Sequence, residues 1–298
     1  MRFHFAEAAT APDHWIPLAR AVEAAGFTGI CVADSLAFPR DSDARYPYTD
    51  SGQREFLRGK PFVEPMIACT AILTATTTLR ATPFVLKLPV RPPLLVAKQA
   101  ASLAVLSGHR LSLGVGISPW PQDFTAMGVL FERRGARLDE AIDIVRGLCA
   151  GGMFDYHGQL YELPAIQIEP VPAQPIPILV GGHSEAALRR AARRGDGWMH
   201  AGGDPRELTG LLHRLAALRA QHPGQRTDRP FEIHVVSPDA FTVDGVAGLA
   251  GAGVTDVIVG FRSAYDAGPD TRSLDEKLEA ITRYGDTVIA AHGARQSN

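Results

Sequence analysis

Short apolar runs alternate along the chain with longer segments in which apolar residues recur at helical spacing. Eight of these runs have the length of buried strands, and a segment with helical periodicity follows each of them. The predicted strands cover residues 2–6, 29–33, 79–85, 110–116, 176–181, 197–201, 231–236 and 256–261. The predicted helices cover residues 14–25, 62–74, 92–106, 134–149, 185–194, 205–221, 243–250 and 273–290.

Strict alternation of strands and helices implies a parallel α/β sheet, because a covering helix must return the chain to the start of each next strand. Eight such units in 298 residues match the size of a closed (β/α)8 TIM barrel. An open, doubly wound sheet is the alternative. Gly26 after the first helix and Asp204-Pro205 before the sixth have the chemistry of helix caps. No repeat or composition shift divides the chain, so we expect one barrel domain over residues 1–298.

Three connections are too long to be tight turns, and they cover residues 35–61, 117–133 and 150–175. The first two follow strands two and four, so in a barrel they rise over the catalytic face, while the third follows helix four. Loops of this length in a compact domain are commonly functional. The two catalytic-face loops contain the aromatic residues Tyr46, Tyr48, Phe56, Trp120 and Phe124.

Composition narrows the class of protein. With 46% hydrophobic and 21% charged residues, the chain has the make-up of a folded globular protein. A formal net charge of -2 argues against nucleic acid as a partner, because neutralising phosphates requires a basic surface. No apolar run reaches the ~18 residues of a membrane span, and the first residues show no signal-peptide pattern. We therefore expect a cytoplasmic protein whose cysteines, Cys31, Cys69 and Cys149, are reduced and buried.

The first candidate binding site is the run Gly181, Gly182, His183 and Ser184, between the fifth predicted strand and its helix. Two glycines let a bound group approach the backbone closely. The helix N-terminus adds free N–H groups and a partial positive charge, which suit a phosphate or phosphodiester. An ordinary tight turn capped by Ser184 is the alternative.

Polar residues stand at three other predicted strand ends: Asp34 and Ser35 follow strand two, Lys87 follows strand three, and His200 lies near the end of strand six. At the carboxyl ends of barrel strands such residues are typical of catalysis. Each also has a structural interpretation. Asp34 could accept N–H groups of its own loop, Lys87 could extend to solvent, and His200 could be a satisfied core histidine.

Two further features concern the shapes of strands three and four. Prolines at 83 and 89 predict that the third strand is short or distorted, because proline donates no ladder hydrogen bond. Gly114 and Gly116 form a GxG pattern with no helix at the spacing of a dinucleotide fingerprint, so we interpret them as making space for a flat ring. The sequence contains no HExxH, paired-histidine, P-loop or GxSxG motif, and we expect no metal site.

Several stretches carry a family resemblance when they are taken in order. They are AKQAASL at 97–103, LSGHRLSLGVG at 106–116, ERRGARLDEA at 132–141, PILVGGHS at 177–184 and RGDGW at 194–198. Together they resemble the luciferase-like monooxygenase superfamily, in the branch of coenzyme F420-dependent oxidoreductases. The resemblance extends over nearly the whole chain.

The resemblance implies a (β/α)8 barrel that holds a deazaflavin or flavin at the carboxyl ends of its strands. Members often have a non-proline cis peptide behind the ring, which maps to Phe84 and Val85. The phosphate-side contacts map to Gly181, Gly182, His183 and Ser184. The ring-side contacts map to Asp34, Gly116, His200 and Ala201.

Departures from the family pattern concern its sugar-phosphate dehydrogenases. Many relatives have Asp-His where this chain has Asp34 and Ser35. A glutamate after strand four corresponds to about Pro119, and a phosphate-binding lysine after strand six corresponds to about Asp204. These differences imply that the machinery for oxidising a sugar phosphate is absent.

The resemblance therefore implies an F420-dependent oxidoreductase that transfers a hydride between the deazaflavin and a small organic substrate. Water, Ser35, Lys87 or His200 would deliver the proton. FMN is the alternative cofactor and would permit monooxygenation, while a barrel that binds flavin or F420 without turnover is a further hypothesis. A homodimer is the expected assembly.

Overall fold

A ring of parallel strands forms the centre of the fold, in a computed structural model that describes residues 1–7, 9–42, 44–46, 52, 54–221, 230–263, 265–266 and 268–296. The strands are β1 (Arg2–Ala6), β2 (Gly29–Val32), β3 (Arg80–Pro83), β4 (Leu86–Lys87), β5 (Leu113–Gly116), β6 (Phe154–His157), β7 (Glu162–Ile166), β8 (Ile178–Gly181), β9 (Gly197–Met199), β10 (Glu232–Val235) and β11 (Asp256–Val259). The helices are α1 (Trp15–Ala24), α2 (Pro65–Ala75), α3 (Pro93–Leu106), α4 (Pro121–Ala126), α5 (Arg134–Cys149), α6 (Glu185–Arg194), α7 (Pro205–Ala220), α8 (Val243–Gly251), α9 (Leu274–Tyr284) and α10 (Ala290–Gln296).

The strand order confirms the predicted (β/α)8 barrel. Neighbouring strands follow the order β3-β2-β1-β11-β10-β9-β8-β5-β4, and the pairs are parallel. A parallel bridge between Ala81 of β3 and Leu111, just before β5, closes the ring. All residues of β2, β5 and β11 are buried, because barrel strands are covered on one face by helices and on the other by the packed interior.

The third predicted strand is divided into β3 and β4. The peptide bond between Phe84 and Val85 is cis, at the position that the family resemblance implied. The Phe84 N–H donates to the carbonyl of Val32 at 2.6 Å. Beyond this point the chain leaves β2, and β4 pairs with β5 instead. The prolines predicted a distorted strand, but they did not predict this change of pairing partner.

The connection after α5 is more structured than the long loop predicted for residues 150–175. It contains an antiparallel hairpin of β6 and β7. Glu140 of α5 accepts the backbone N–H groups of residues 159, 160 and 161 at 3.0–3.1 Å. The ring of Phe154 packs over Gly147, where a side chain would collide with it. The hairpin strands are short and largely exposed, so their hydrophobic pattern gave too weak a signal.

Two helices also differ from the prediction. Helix α4 lies within the predicted loop 117–133. The predicted last helix, 273–290, contains a π turn at Gly285–Ile289 before it continues as α10. A Cβ at Gly285 would lie 2.6 Å from the carbonyl oxygen of Ala25, so the glycine permits close packing of this turn against the end of α1.

A network of charged residues fills the amino-terminal end of the barrel. Arg2 binds both carboxylate oxygens of Asp256, at 2.8 and 2.7 Å. Nε2 of His4 lies 2.7 Å from Asp256, and Nε2 of His234 lies 2.8 Å from Glu232. Burial alone would raise the pKa of the Asp256 carboxyl, but hydrogen bonds from His4 and Arg2 outweigh it and hold that pKa well below its usual range. The ion pairs of Arg2 and Arg80 with Asp256 and Glu232 balance the buried carboxylate charges at this end of the barrel.

The same network brings together three residues of metal-binding types, two histidines and an aspartate, that no local motif predicted. Ligand atoms of His4, His234 and Asp256 lie within 4.8 Å of one another. Asp256 is bound by Arg2 and His4, and His234 by Glu232, while the Nδ1 atoms of His4 and His234 are buried without a hydrogen-bond partner among the described residues. Residues so far apart in the sequence become neighbours only when the first and last strands meet.

Two remaining expectations concern thiols and membranes. All three cysteines are free; Cys31 and Cys69 are buried as predicted, whereas Cys149 is half-buried. Burial raises the pKa of the Cys149 thiol to about 11. In the part of the chain that the structure describes, no helix has the length and apolar character needed to span a membrane.

Candidate active site

Apolar side chains form a floor inside the carboxyl-terminal mouth of the barrel. Cys31, Leu179, Met199 and Ile258 make a small buried cluster there. Four partly buried residues pack on it and keep some exposed surface at the mouth: Ala6, Phe84, Val85 and Val236. We refer to these four as the floor. A partly exposed apolar surface at this end of a TIM barrel is where a flat ligand would rest.

Val85 is held between two glycines of neighbouring strands. A Cβ at Gly116 would lie 2.6 Å from Cγ2 of Val85, and a Cβ at Gly181 would lie 2.8 Å from its Cγ1. A Cβ at Gly114 would meet the sulfur of Met199 at 2.6 Å. The interpretation that Gly114 and Gly116 make space for a flat ring is therefore wrong in its reason, because protein atoms take that space. The glycines instead allow Val85 to form part of the floor.

The turn of residues 181–184 joins β8 to α6 as predicted. Gly182 has a φ of +118°, which favours glycine. Its carbonyl accepts a hydrogen bond from Nε1 of Trp198 at 2.8 Å, which fixes the turn to β9. The Ser184 hydroxyl accepts the N–H of Ala187 at 3.2 Å and so caps α6. The segment is a serine-capped turn, as the tight-turn interpretation requires. It is also the N-terminus of a ten-residue helix, which is the geometry that the phosphate interpretation requires.

Two stacked imidazoles connect this turn to the end of β9. The rings of His183 and His200 lie 4.5 Å apart at 10°. Nε2 of His183 accepts the N–H of Ala201 at 3.1 Å, and Nδ1 of His200 lies 3.1 Å from the carbonyl oxygen of Val236. Burial lowers the pKa of each histidine to about 4, so both rings are neutral near pH 7. Nδ1 of His200 also lies 3.4 Å from the backbone nitrogen of Gly202, so it can donate to Val236 or accept from Gly202 according to the tautomer.

Asp34 is a buried ion-pair partner at the end of β2. Its carboxylate binds Arg91 at 2.7 and 3.1 Å and accepts the backbone N–H of Lys87 at 2.8 Å. Arg91 also reaches Glu64, which caps α2. The side chain of Asp34 is only 1% exposed. The carboxylate thus binds an N–H of β4 rather than N–H groups of its own loop, and its contact with a cofactor stays a prediction.

Lys87 does not extend to solvent, so that interpretation is wrong. Its Nζ lies 2.8 Å from the carboxylate of Asp123, and the two side chains are 8% and 2% exposed. The hydroxyl of Ser118 donates to the same carboxylate oxygen at 2.5 Å. Ser118 in turn accepts the backbone N–H of Trp120 at 3.1 Å. This chain of contacts fixes the start of the loop after β5 to the end of β4.

Ser35 and Ala201 lie at the same mouth. Ser35 is half-buried, and its hydroxyl makes no hydrogen bond with any residue that the structure describes. The Ala201 carbonyl accepts a hydrogen bond from the Tyr265 hydroxyl at 3.2 Å. The structure thus brings the predicted site residues to one end of the barrel, while their catalytic and binding roles stay predictions.

Aromatic side chains from three loops meet above the mouth, and we call them the aromatic lid: Tyr46, Phe56, Trp120 and Tyr265. Tyr46 stacks on Trp120 at 5.7 Å and 15°, and it contacts Phe56 at 5.0 Å. Tyr265 lies 5.3 Å from Phe56. The expectation that loops 35–61 and 117–133 rise over this face is confirmed. Tyr48 lies outside the described residues, and Phe124 is buried against Phe131 below the lid.

The segment that carries Tyr265 was not predicted as part of the lid. It follows β11 and is anchored by buried charges. Lys277 is 2% exposed and binds Asp270 and the Thr10 hydroxyl, each at 2.8 Å. Arg272 binds both Glu7 and Asp270. These ion pairs join residues from the two ends of the chain, which is why no local pattern revealed them.

The whole-chain pattern matches a known family. The family model for luciferase-like monooxygenases matches residues 3–240, which is most of the chain. The chain belongs to the luciferase-like monooxygenase family. An uncharacterised protein of Mycobacterium tuberculosis is 56% identical over 290 residues, which cover 97% of this chain and 99% of that protein. An F420-dependent glucose-6-phosphate dehydrogenase of Mycolicibacterium fortuitum is 26% identical over 215 residues, covering 66% of this chain and 56% of that enzyme.

Solved structures of the luciferase-like fold agree with the barrel described above. A monooxygenase from Streptomyces bottropensis has a TM-score of 0.77 at 16% identity, covering 98% of this chain and all of that chain. The F420-dependent tetrahydromethanopterin reductase of Methanopyrus kandleri has a TM-score of 0.70 at 17% identity, covering 98% and 99%. A type II Baeyer–Villiger monooxygenase of Pseudomonas putida, solved with FMN, has a TM-score of 0.60 at 15% identity, covering 84% and 71%. At these identities the likeness concerns the fold.

The luciferase-like motifs located the strand ends, but not the residues that support them. Asp123, Arg91 and Tyr265 each contact a predicted site residue, and none was singled out from the sequence. Asp123 follows Trp120 and Pro121, a combination typical of a helix start, which was the available signal. The other two lacked any such local signal.

Proposed function

We propose that this protein is an F420-dependent oxidoreductase that transfers a hydride between the deazaflavin and a small organic substrate. The observation that carries the proposal is the presence of the turn 181–184 and the apolar floor at one barrel mouth. A cofactor with a flat ring and an anionic tail needs both kinds of surface. The F420-dependent members among the relatives support this choice of cofactor.

The turn 181–184 fits the anionic part of such a cofactor. The first N–H groups of a helix have no partner within the helix, and the helix dipole places partial positive charge there. Gly182 and Gly203 both have positive φ, and they leave the backbone without side chains on this side of the mouth. The Ser184 hydroxyl accepts the Ala187 N–H, and its own proton remains available to a phosphate oxygen.

The floor fits a ring. Phe84, Val85 and Val236 offer apolar surface at the barrel axis, and the buried cluster beneath holds them in place. The rings of the aromatic lid lie at the same mouth and would shield a bound ligand from water. When bound, F420 supplies a carbon that donates or accepts a hydride, whereas FMN also permits reaction with oxygen.

Proton handling falls to His200 more readily than to Lys87. His200 is neutral near pH 7, and a neutral imidazole carries one proton and one lone pair, so it can accept or donate a proton as the reaction requires. Lys87 is held by Asp123 and would lose that ion pair on deprotonation. Ser35 has an uncommitted hydroxyl and can relay a proton.

An FMN-dependent monooxygenase is the second candidate function. The observation that favours it is the likeness of fold to a monooxygenase solved with FMN. The turn 181–184 would hold an FMN phosphate by the same N–H groups. A barrel that binds either cofactor without turnover is the third hypothesis, and the histidine and glutamate that this chain lacks relative to its family's sugar-phosphate dehydrogenases motivate it.

Fluorescence titration of the purified protein with F420, and separately with FMN, tests the proposal. We expect saturable binding of F420 that is tighter than binding of FMN. Binding of FMN alone would replace the proposal with the monooxygenase alternative. Failure of both cofactors to bind would refute the proposal. Cofactor binding without hydride transfer to any carbonyl compound, or from any alcohol, in a panel of small substrates would favour the non-catalytic barrel.

A charge variant in the first turn of α6 tests whether the turn 181–184 binds the anionic tail of the cofactor, and we call this turn the tail site. Ala186→Asp adds a negative charge beside the proposed phosphate, and it should weaken cofactor binding by about 1 kcal/mol, roughly fivefold. The same change should not lower stability, since acidic residues near a helix N-terminus are favourable. Arg193→Gln, in the last turn of α6, changes the net charge equally and is the matched control. Equal affinities for the two variants would count against the tail site.

We also propose a homodimer that works in the cytoplasm. Large apolar side chains are exposed on α2 and α3, with Ile67 65%, Leu95 52% and Leu106 78% exposed. Leu95 and Leu106 are three helical turns apart and share one face of α3. A second copy that covers these residues would remove them from water. The free state of all three cysteines supports a reducing location.

A further inference from the structure

We propose that Arg54 binds a carboxylate of the substrate beneath the aromatic lid, and that the substrate is a small organic acid with a flat apolar body. This inference rests on the proposed function, because it names the substrate class of the same barrel mouth. The argument starts from the state of the Arg54 side chain.

Arg54 is a buried cation that binds no anion directly among the residues that the structure describes. The residue is 8% exposed, and its Nη1 is fully buried with no hydrogen-bond partner. Its side chain makes no ion pair or hydrogen bond with any residue that the structure describes. The adjacent carboxylate, Glu55, is bound to Arg58 at 2.7 Å. Since a guanidinium stays protonated in proteins, its buried charge is unfavourable until an anion pairs with it.

Aromatic rings surround the Arg54 guanidinium without satisfying its donors. The carbon at its centre lies 5.0 Å from the Phe38 ring and 5.9 Å from the Trp120 ring. Cation–π contacts offset part of the burial penalty, and they leave the N–H groups without acceptors. The site thus combines apolar walls with unpaired hydrogen-bond donors.

The loop that carries Arg54 lies across the barrel mouth. On one side, Trp120 donates its backbone N–H to Ser118, which is bonded to Asp123 and thereby connected to Lys87 at the end of β4. On the other side, Phe56 contacts Tyr265, whose hydroxyl binds the carbonyl of Ala201 beyond β9. The guanidinium is therefore placed among the residues that would enclose a substrate.

The charge balance at this mouth indicates a carboxylate. Lys87 is neutralised by Asp123, and Arg91 by Asp34, so these cations are already paired. Among the described residues, Arg54 interacts only through space with the exposed carboxylate of Glu55 and contributes one positive charge, which matches a carboxylate monoanion better than a phosphate-ester dianion. The planar fork of a guanidinium binds a carboxylate through two parallel hydrogen bonds. The aromatic walls fit a flat apolar body attached to that group.

Benzoate and its neutral analogue benzamide provide the test, because they share shape and differ in charge. Calorimetric titration of the full-length protein, with and without F420, should give benzoate an affinity at least about tenfold higher than that of benzamide. Arg54→Gln should abolish this preference. Arg58→Gln is the matched control, because Arg58 also lies over the Phe38 ring, at 4.7 Å, but is exposed and paired with Glu55.

Three results would overturn the inference: equal affinity for the two probes, no binding of benzoate, or an unchanged preference in Arg54→Gln. Because benzoate and benzamide are compared on the unaltered protein, the test remains valid even if Arg54→Gln does not fold. F420 titration of the same samples separates the two proposals. If the unaltered protein binds F420 but shows no preference for benzoate, only the carboxylate site is refuted. If the unaltered protein does not bind F420, the proposed function is refuted.

Discussion

Adding one methyl group at Gly116 should disturb the floor of the barrel mouth through Val85. A Cβ at Gly116 would lie 2.6 Å from Cγ2 of Val85, whereas carbon atoms in ordinary contact are ~3.5–4 Å apart. Val85 also packs closely against β8, since its other methyl group would lie only 2.8 Å from a Cβ built on Gly181. The added methyl must therefore displace Val85, which is part of the proposed ring site.

The magnitude follows from two opposing effects. Overpacking of a buried site lowers the free energy of unfolding by about 1–3 kcal/mol. Replacing glycine by alanine restricts the unfolded chain and restores about 0.4–1 kcal/mol. For Gly116→Ala we expect a net loss of about 1–2 kcal/mol and a fall in Tm of a few degrees. Val85→Ala in the same chain removes the colliding methyl group, so the double variant should recover about 1–2 kcal/mol relative to the sum of the single changes.

Thermal unfolding of the four proteins in this cycle measures the coupling, and cofactor titration of each shows whether the floor has moved. Gly210→Ala is the matched control, because Gly210 lies in α7 with no atom within 4 Å of the position of a Cβ. That control should be at least as stable as the parent protein, since alanine is the better helix former. Additive effects of Gly116→Ala and Val85→Ala, within about 0.5 kcal/mol, would refute the reasoning.

Three other predictions concern buried charge, pH and assembly. Lys87→Met leaves Asp123 buried without its partner and should lower stability by about 3–5 kcal/mol, while Lys87→Met with Asp123→Leu should recover most of it; equal Tm values for the single and double variants would contradict the ion pair. Burial holds the pKa of His183 and His200 near 4 against an ordinary 6.5, so the unfolded chain binds more protons between these values. Stability should therefore fall as pH is lowered through this window, and His200→Asn should flatten the profile of Tm against pH; a variant profile as steep as the parent's would be inconsistent with the assignment. Leu95→Glu should convert a dimer to a monomer by light scattering, and a monomeric parent protein would rule out the proposed interface.

The residues that the sequence predicted well are those whose role is set by their own strand end. Ser184 caps a helix, and Asp34 and Lys87 follow buried strands, so their positions depend on local pattern alone. What Lys87 binds could not be predicted in this way. Asp123 lies 36 positions later, in a helix that was missed, and the contact exists only because β4 and β5 are neighbours in the closed ring.

Long-range neighbours account for the other omissions. The amino-terminal network joins Arg2 and His4 to Asp256, more than 250 positions away, because β1 and β11 pair to close the barrel. The role of Gly116 was misjudged for the same reason, since its neighbour Val85 comes from another strand. A hydrophobic pattern states which face of an element is buried, but it does not state which side chain is opposite.

The contrast between the two ends of the barrel supports the proposed role of Arg54. At the amino-terminal end, the buried carboxylates of Asp256 and Glu232 are bound by arginines and histidines, so that end contributes to stability without needing a ligand. At the other end, the buried Nη1 of Arg54 has no hydrogen-bond acceptor among the residues that the structure describes. The lid that buries it is held mainly by ring contacts among residues of different loops. An anion that pairs with Arg54 would therefore favour the closed lid over an open one, because only the closed lid confines the charge. Under the proposal, substrate binding and enclosure of the reaction are thus coupled through a single guanidinium.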